Sequence, residues 1–310
     1  MTILWEALKT LFAPASTALM NYRPPAMPSA GQINRMAPMT QADPGPEASL
    51  ARGFRDVDTA VVGKLARCLT YMDALPAFQQ YKNTMLEMMN PQRGSVTADL
   101  GCGLGFDVRR LAALVGPEGR AIGVDASLAL IEAARSMSEG LHAVEFIQSD
   151  IQHLPFGSGS LNSCKVDRTL QHVERPAAVL NEIFRTLCSG GTVVCAEPDW
   201  GTFAIDGTQH PIARQIAKVW SEGFRNPRIG RELKDRLGKA GFVDPQIKEV
   251  ILSTPDFESS DIVFDISQSA LQLATNTGSS EALAWLATLR DRQNPLCCSV
   301  TLVISFGKKP

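Results

Sequence analysis

Three carboxylates in this chain close short apolar runs: Asp99 after Val96-Thr97-Ala98, Asp125 after Arg120 to Val124, and Asp150 just after Ala143 to Gln148. An acid at the end of a strand presents two acceptor oxygens to a ligand lying across the strand ends. Asp125 suits a pair of ribose hydroxyls. Asp150 suits the exocyclic amine of an adenine whose ring packs on Ile151. Asp99 opens Asp99-Leu100-Gly101-Cys102-Gly103-Leu104-Gly105, with glycines at alternate positions that let a ligand reach main-chain N–H groups. A carboxylate there repels a pyrophosphate and attracts an ammonium. Phe106 stands where a dinucleotide fingerprint needs a small residue for close helix packing, which argues against a nicotinamide oxidoreductase. Each acid alone reads equally well as a solvated surface group or a helix cap. Together, at three successive strand ends, they favour a nucleoside site.

A nucleoside at one end, an amino acid at the other and no phosphate describe S-adenosylmethionine (SAM). The pattern D-x-G-x-G-x-G resembles the first motif of class I SAM-dependent methyltransferases. The resemblance runs from about Tyr71 to the C-terminus and is best over Ala98 to Asp107, Gly123 to Ser127, Gln148 to Phe156, Cys164 to His172 and Glu197 to Thr202. These segments are similar to a bacterial small-molecule branch related to the UbiE-type quinone enzymes and common in secondary metabolism. The resemblance implies that Tyr81, Asp99, Gly101, Gly103, Gly105, Asp125, Ala126, Asp150 and Ile151 contact the cofactor. It sets Asp167 and His172 beside the reacting atoms, with Arg168, Trp200 and Phe203 toward substrate. Members of the branch carry C-R-x-E-R-x-L-Q-H where this chain has Cys164-Lys165-Val166-Asp167-Arg168-Thr169-Leu170-Gln171-His172. The acid is therefore Asp in place of Glu, with its carboxylate about one methylene further back.

Methyl transfer from a sulfonium needs the nucleophile held in line, water excluded and a proton accepted if the nucleophile carries one. Asp167 is a candidate for catalysis or for a structural pair with Arg168. His172 is a base or a satisfied structural histidine, and Trp200 and Phe203 are substrate walls or core. Carbon methylation of an isoprenoid or indole-type acceptor passes through a cation that an acid and aromatic faces stabilise. Oxygen or nitrogen methylation of a polyketide- or quinone-like acceptor, and a non-catalytic SAM-binding protein of the same fold, are the alternatives. Asp167 and Asp199 are too few for a metal-dependent catechol-type site, so no metal is expected.

The elements that position these residues alternate regularly. Strands are expected at Arg120 to Val124, Ala143 to Gln148, Leu161 to Val166, Thr192 to Ala196, Gln246 to Leu252 and Cys297 to Ser305, with Ser127 capping a helix over Leu128 to Met137. Helices are expected over 57–75, 76–89, 176–187, 212–224, 230–240, 260–273 and 281–291. The fold expected is α/β and Rossmann-like: a seven-stranded, mostly parallel sheet with helices on both faces and the last strand antiparallel. Ile3, Leu4, Trp5, Leu8, Leu11 and Phe12 give residues 1–20 one apolar helical face, and a Pro-rich linker over 21–50 precedes a methyltransferase domain over 51–310. Residues 256–295 read as a helical insertion near the active site. The N-terminal helix either packs or stays disordered on its own domain, or it covers the site or a second subunit, which suggests a homo-oligomer. A net charge of −2 in 310 residues gives no electrostatic pull toward nucleic acid or an anionic membrane, so a small-molecule substrate is expected. Seven cysteines with no C-x-x-C pair, and no basic start ahead of the first apolar run, suggest a reduced, cytoplasmic protein.

Overall fold

The computed structural model describes residues 49–54, 62–205, 210–290 and 297–310. The expected N-terminal helix over 1–20, and the linker up to residue 48, lie outside them. The first described element is α1 (Leu50–Gly53), whose Leu50 is buried, so domain packing begins at the last residues assigned to the linker. It is followed by α2 (Val62–Ala74), α3 (Pro76–Met89), β1 (Val96–Leu100), α4 (Phe106–Val115), β2 (Arg120–Asp125), α5 (Leu128–Ser136), β3 (Val144–Gln148), β4 (Leu161–Asp167) and α6 (Pro176–Thr186). Then come β5 (Leu187–Ile205), α7 (Pro211–Glu222), α8 (Ile229–Lys239), β6 (Val243–Thr254), α9 (Phe257–Phe264), α10 (Ile266–Thr277), α11 (Glu281–Arg290) and β7 (Cys298–Lys308).

The strands form one seven-stranded sheet in the order β3-β2-β1-β4-β5-β7-β6. β1 to β5 pair in parallel, and β7 runs antiparallel to both β5 and β6. Strand order reverses at β1, the switch point where an open α/β sheet leaves a crevice beyond its strand ends. Both faces are covered, so neighbouring residues on a strand serve opposite cores. Val193 and Cys195 of β5 pack with Val179 and Ile183 of α6 and with Leu233 and Leu237 of α8. Val194 and Ala196 face the other side, with Met85 and Leu86 of α3 and Leu302 and Ile304 of β7.

Two elements depart from the sequence expectation. β5 is much longer than Thr192 to Ala196, because β7 pairs along it as far as Ile205, with an irregularity between Asp199 and Ala204. The single helix expected over 260–273 is two helices, broken at Asp265, which has φ 49°. Its carboxylate explains the break. Asp265 Oδ2 accepts from the Leu50 N–H at 2.8 Å, and Oδ1 accepts from Lys64 Nζ at 2.9 Å. The insertion is thereby tied to α1 and α2, and Tyr71 Oη lies 2.7 Å from Ser259 Oγ in the same contact.

Candidate active site

A cleft of about 370 Å³ opens at the carboxyl ends of the parallel strands, within the size range of small-molecule sites. One end is polar. There the Gly101 and Cys102 N–H groups donate to the Val124 carbonyl at 2.7 and 3.0 Å, folding the chain back against β2. Gly101 has φ 80°, and a Cβ would overlap the Thr169 side chain, so both the turn and the neighbour require glycine. Asp125 fixes the next step of the loop. Its Oδ2 accepts from the Gly103 N–H at 2.9 Å and its Oδ1 from the Ser127 N–H at 3.0 Å. Gly101, Gly103, Asp125, Ala126, Asp150 and Ile151, all expected at the cofactor, line this end of the cleft. Asp150 is exposed and accepts from the Gln152 N–H at 2.9 Å, while Ile151 is buried beside it. These residues fit a nucleoside: two carboxylates with their planes fixed by backbone N–H groups, one apolar side chain, and glycines that leave main-chain donors approachable.

Four expected site residues are not on the cleft wall. Gly105 is a packing residue: a Cβ there would come within 2.5 Å of the Phe146 ring, so the glycine lets α4 close onto β3. Tyr81 is buried on α3, and its hydroxyl donates to both Asp167 oxygens at 3.1 Å. Phe203 packs at 5.7 Å from Trp200 and 5.0 Å from Phe264, behind the wall they form. Asp99 is only 3% exposed and points into a buried ionic cluster, 3.7 Å from Lys165 Nζ.

That cluster lies beneath the cleft at Asp167; Lys165 stands at the basic position of the family-like segment, but nothing local marks it or Lys82 as buried. Asp107, in the first turn of α4, meets Lys82 Nζ at 2.6 Å, Arg110 Nη1 at 2.5 Å and Lys165 Nζ. Arg110 also grips Asp73 at 2.8 and 3.0 Å. Asp167 receives Lys82 at 3.3 Å, Arg168 Nε at 3.3 Å and Lys165 at 3.7 Å. Burial acts to raise the Asp107 carboxyl, but Lys165, Lys82 and Arg110 outweigh it and hold the group well below the usual range. The balance is the same at Asp167, where burial is overcome by Lys82, Arg168 and Lys165. Asp99, with fewer cations, is pushed up by burial to about 6. A carboxylate held below its ordinary range is a weak proton acceptor, so Asp167 is set to hold negative charge beside the cleft and not to collect a proton.

The other end of the cleft is apolar, and Glu197, buried midway along β5, holds the turn that borders it. The carboxylate accepts from the N–H groups of Thr169, Leu170 and Gln171 at 2.7, 2.6 and 3.3 Å, and burial still pushes its carboxyl up to about 8. The turn after β4 is thereby held with Arg168 at φ 51°, its guanidinium over the Phe78 ring at 5.2 Å. Gln171 accepts from Trp200 Nε1 at 2.7 Å. Trp200 stacks on Phe224 at 4.6 Å, and His172 sits between Phe54 and Phe224 at 5.5 and 5.4 Å. Asp167, Arg168, His172 and Trp200 all line the cleft with Phe54, Trp220, Phe224 and Phe264. The last four lie outside the motifs, Trp220 and Phe264 within helices and Phe54 and Phe224 just past the ends of α1 and α7, where an aromatic reads only as core. Asp199, the second acid of the metal-dependent alternative, is turned away to Arg231 Nε at 2.6 Å.

A family model described as a methyltransferase domain matches residues 91–234. An uncharacterised 37.1 kDa protein in a transposon of Streptomyces fradiae is 36% identical over 243 residues, covering 76% of this chain and 70% of its own length. A demethylmenaquinone methyltransferase of Lactococcus lactis is 34% identical over 167 residues, covering 52% of this chain and 62% of its own length. Among solved structures, a methyltransferase-like protein of Bacillus halodurans shares the fold at TM-score 0.55 and 15% identity, over 74% of this chain and 99% of its own. The phosphoethanolamine N-methyltransferase 2 of Haemonchus contortus, solved with SAM, also shares it at TM-score 0.55 and 17% identity, over 84% of this chain and 60% of its own. The chain belongs to the class I SAM-dependent methyltransferases, enzymes with a Rossmann-like sheet and SAM as methyl donor. No helix among the described residues is long and apolar enough to cross a membrane.

Proposed function

We propose that this enzyme methylates a small, flat, largely apolar metabolite. The observation that carries the reading is the far half of the cleft, whose walls are Phe54, Trp200, Trp220, Phe224 and Phe264. Bound SAM supplies an electrophilic methyl on a sulfonium. Asp125 holds the ribose, Asp150 and Ile151 the adenine, and the N–H groups of the glycine loop face the methionine end. Asp99 helps there indirectly, through Lys165. The aromatic walls exclude water and orient the acceptor. Asp167 contributes a fixed negative charge, and the ring faces contribute their quadrupoles, where positive charge develops on an acceptor attacked at carbon. That division of labour favours carbon methylation of an electron-rich ring or double bond, such as an indole or isoprenoid. The resemblance to secondary-metabolite enzymes supports a specialised acceptor of this kind.

A quinone-type acceptor is the second reading, supported by the relatives named as demethylmenaquinone methyltransferases. The test is to incubate the protein with methyl-labelled SAM and a panel of indoles, naphthoquinols, prenyl alcohols and catechols, then to locate the label in each product. Label on a ring or alkene carbon is expected. Label only on the hydroxyl oxygens of the catechols or prenyl alcohols sinks the proposal.

A further inference from the structure

The turn after β4 is built around one side chain. Arg168 stands at φ 51°, a backbone region unfavourable to any residue with a Cβ. Its N–H donates to the Ala196 carbonyl at 2.7 Å, its carbonyl accepts from the Gln171 amide at 2.9 Å, and Glu197 holds the N–H groups that follow. A glycine would take this conformation without strain, so what Arg168 adds is its guanidinium. The protein satisfies that group poorly. Nε donates to Asp167 Oδ1 at 3.3 Å, and Asp167 is shared with Lys82 and Lys165 at 3.3 and 3.7 Å. Nη1 meets the Met72 sulfur at 2.7 Å, a weak acceptor, and the Phe78 ring lies 5.2 Å from the guanidinium carbon. Nη2 has no hydrogen-bond partner among the described residues, and it is not sealed from solvent: the side chain is 16% exposed, and the residue lines the cleft. A guanidinium donates only, so its unused N–H groups face the cleft in want of an oxygen.

We propose that Arg168 Nη2 holds an anionic oxygen of the methyl acceptor, a carboxylate or a ring oxyanion. The inference rests on the flat, apolar acceptor proposed above and narrows it: the ring carries one negative charge. Arg168 binds and orients the acceptor and makes no bond to the transferred methyl. It selects by mismatch as well as by contact, since a neutral ring displaces water from the guanidinium and returns nothing. The methionine carboxylate of the cofactor offers the same chemistry, so the test separates the two sources.

The probes are 2-naphthoate and 2-naphthamide, nearly equal in size and different in charge. Both are titrated by calorimetry into wild-type protein and Arg168→Gln, each saturated with S-adenosylhomocysteine. The wild type should bind the acid about tenfold to a hundredfold more tightly than the amide, the worth of a hydrogen bond to a charged group, and Arg168→Gln should bring the two within about threefold. A crystal of the wild type soaked with 2-naphthoate should show its carboxylate at hydrogen-bond distance from Arg168 Nη2, a result that stands even if Arg168→Gln does not fold. Equal affinity for the two probes in the wild type, a preference for the acid that survives Arg168→Gln, or a carboxylate seated elsewhere overturns the role of Arg168 while leaving the apolar acceptor in place. S-adenosylhomocysteine and 5′-methylthioadenosine, which lacks the carboxylate, are titrated into both proteins without acceptor. Loss of affinity for the first alone in Arg168→Gln assigns the guanidinium to the cofactor and overturns the proposal. Failure of both naphthalenes to bind the wild type overturns the acceptor reading and the anion contact with it.

Discussion

Replacing Asp107 by Asn tests whether the cluster beneath the cleft is held together by charge. The change is nearly isosteric, so packing is retained and only the charge is lost. In the native protein this carboxylate touches three cations, Lys82, Arg110 and Lys165. Lys82 and Lys165 are 9% and 2% exposed at their side chains, so water cannot take over from the lost anion. Breaking one buried pair by removing one partner costs about 3–5 kcal/mol, and here the orphaned partners are several. Against a total stability of roughly 5–15 kcal/mol, that is a large fraction. At about 2–4 °C per kcal/mol for a chain of this order of size, the melting temperature should fall by roughly 6–20 °C. Urea denaturation followed by circular dichroism, with calorimetry beside it, gives both quantities. The decisive control is Lys82→Met in the Asp107→Asn background, which removes the excess cation while Asp167 keeps Arg168 and Lys165, and should restore part of the loss. A drop below about 1 kcal/mol for Asp107→Asn, or no recovery in the double variant, would refute the account.

Asp125→Ala should weaken S-adenosylhomocysteine about tenfold to a hundredfold by calorimetry, the worth of charge-assisted hydrogen bonds to the ribose; an affinity within twofold of wild type speaks against that contact. Asp99 gives a pH signature: its folded pKa of about 6 lies above the ordinary 3.8, so its contribution to stability is full below about 3.8 and is lost as pH rises through about 6. The loss is about 3 kcal/mol, it should vanish in Asp99→Asn, and parallel pH profiles for the two proteins would disprove it. Asp107 and Asp167, whose folded pKa values are depressed, act in the opposite direction and cost stability only as pH falls below the ordinary carboxyl range. Gly101→Ala should cost roughly 2–5 kcal/mol in thermal melts, from the left-handed backbone and the overlap with Thr169, whereas Gly94→Ala, at φ 77° with open space, should cost only about 1–2. Equal costs at the two positions would show that the Thr169 contact is not what excludes a side chain.

The parallel half of the sheet was readable because each strand there is a short apolar run ending in a polar signal. The same regularity brought Gly101, Gly103, Asp125, Asp150 and Ile151 to one end of one cleft. Asp99 and Tyr81 went elsewhere because their partners are invisible to local pattern. A lysine in Asn162-Ser163-Cys164-Lys165-Val166 looks like an ordinary outward position, yet Lys165 is buried against carboxylates from three elements. Asp265 looked like a helical residue because its αL turn is enforced by Leu50 and Lys64, some two hundred residues away in the chain. The aromatic wall was unreadable for a related reason. Trp220 and Phe224 carry the spacing of a core face, and only their convergence with Trp200 and Phe264 makes that face a cleft.

The placing of β7 bears on how the molecule assembles. Among the described residues β6 pairs with β7 alone, although β7 follows it in sequence and sits between it and β5. Until β7 arrives, β6 has no neighbour in the sheet, and the far edge of β5 stands open. Loop closure across α9 to α11 must therefore precede the zipping of both antiparallel ladders, a non-local step of the kind that slows folding. Val300 of β7 and Leu252 of β6 line the apolar half of the cleft, so that half should form only once both antiparallel ladders have closed. A refolding intermediate should then bind S-adenosylhomocysteine before it can retain any acceptor, and the interval between the two events should lengthen when β7 is weakened.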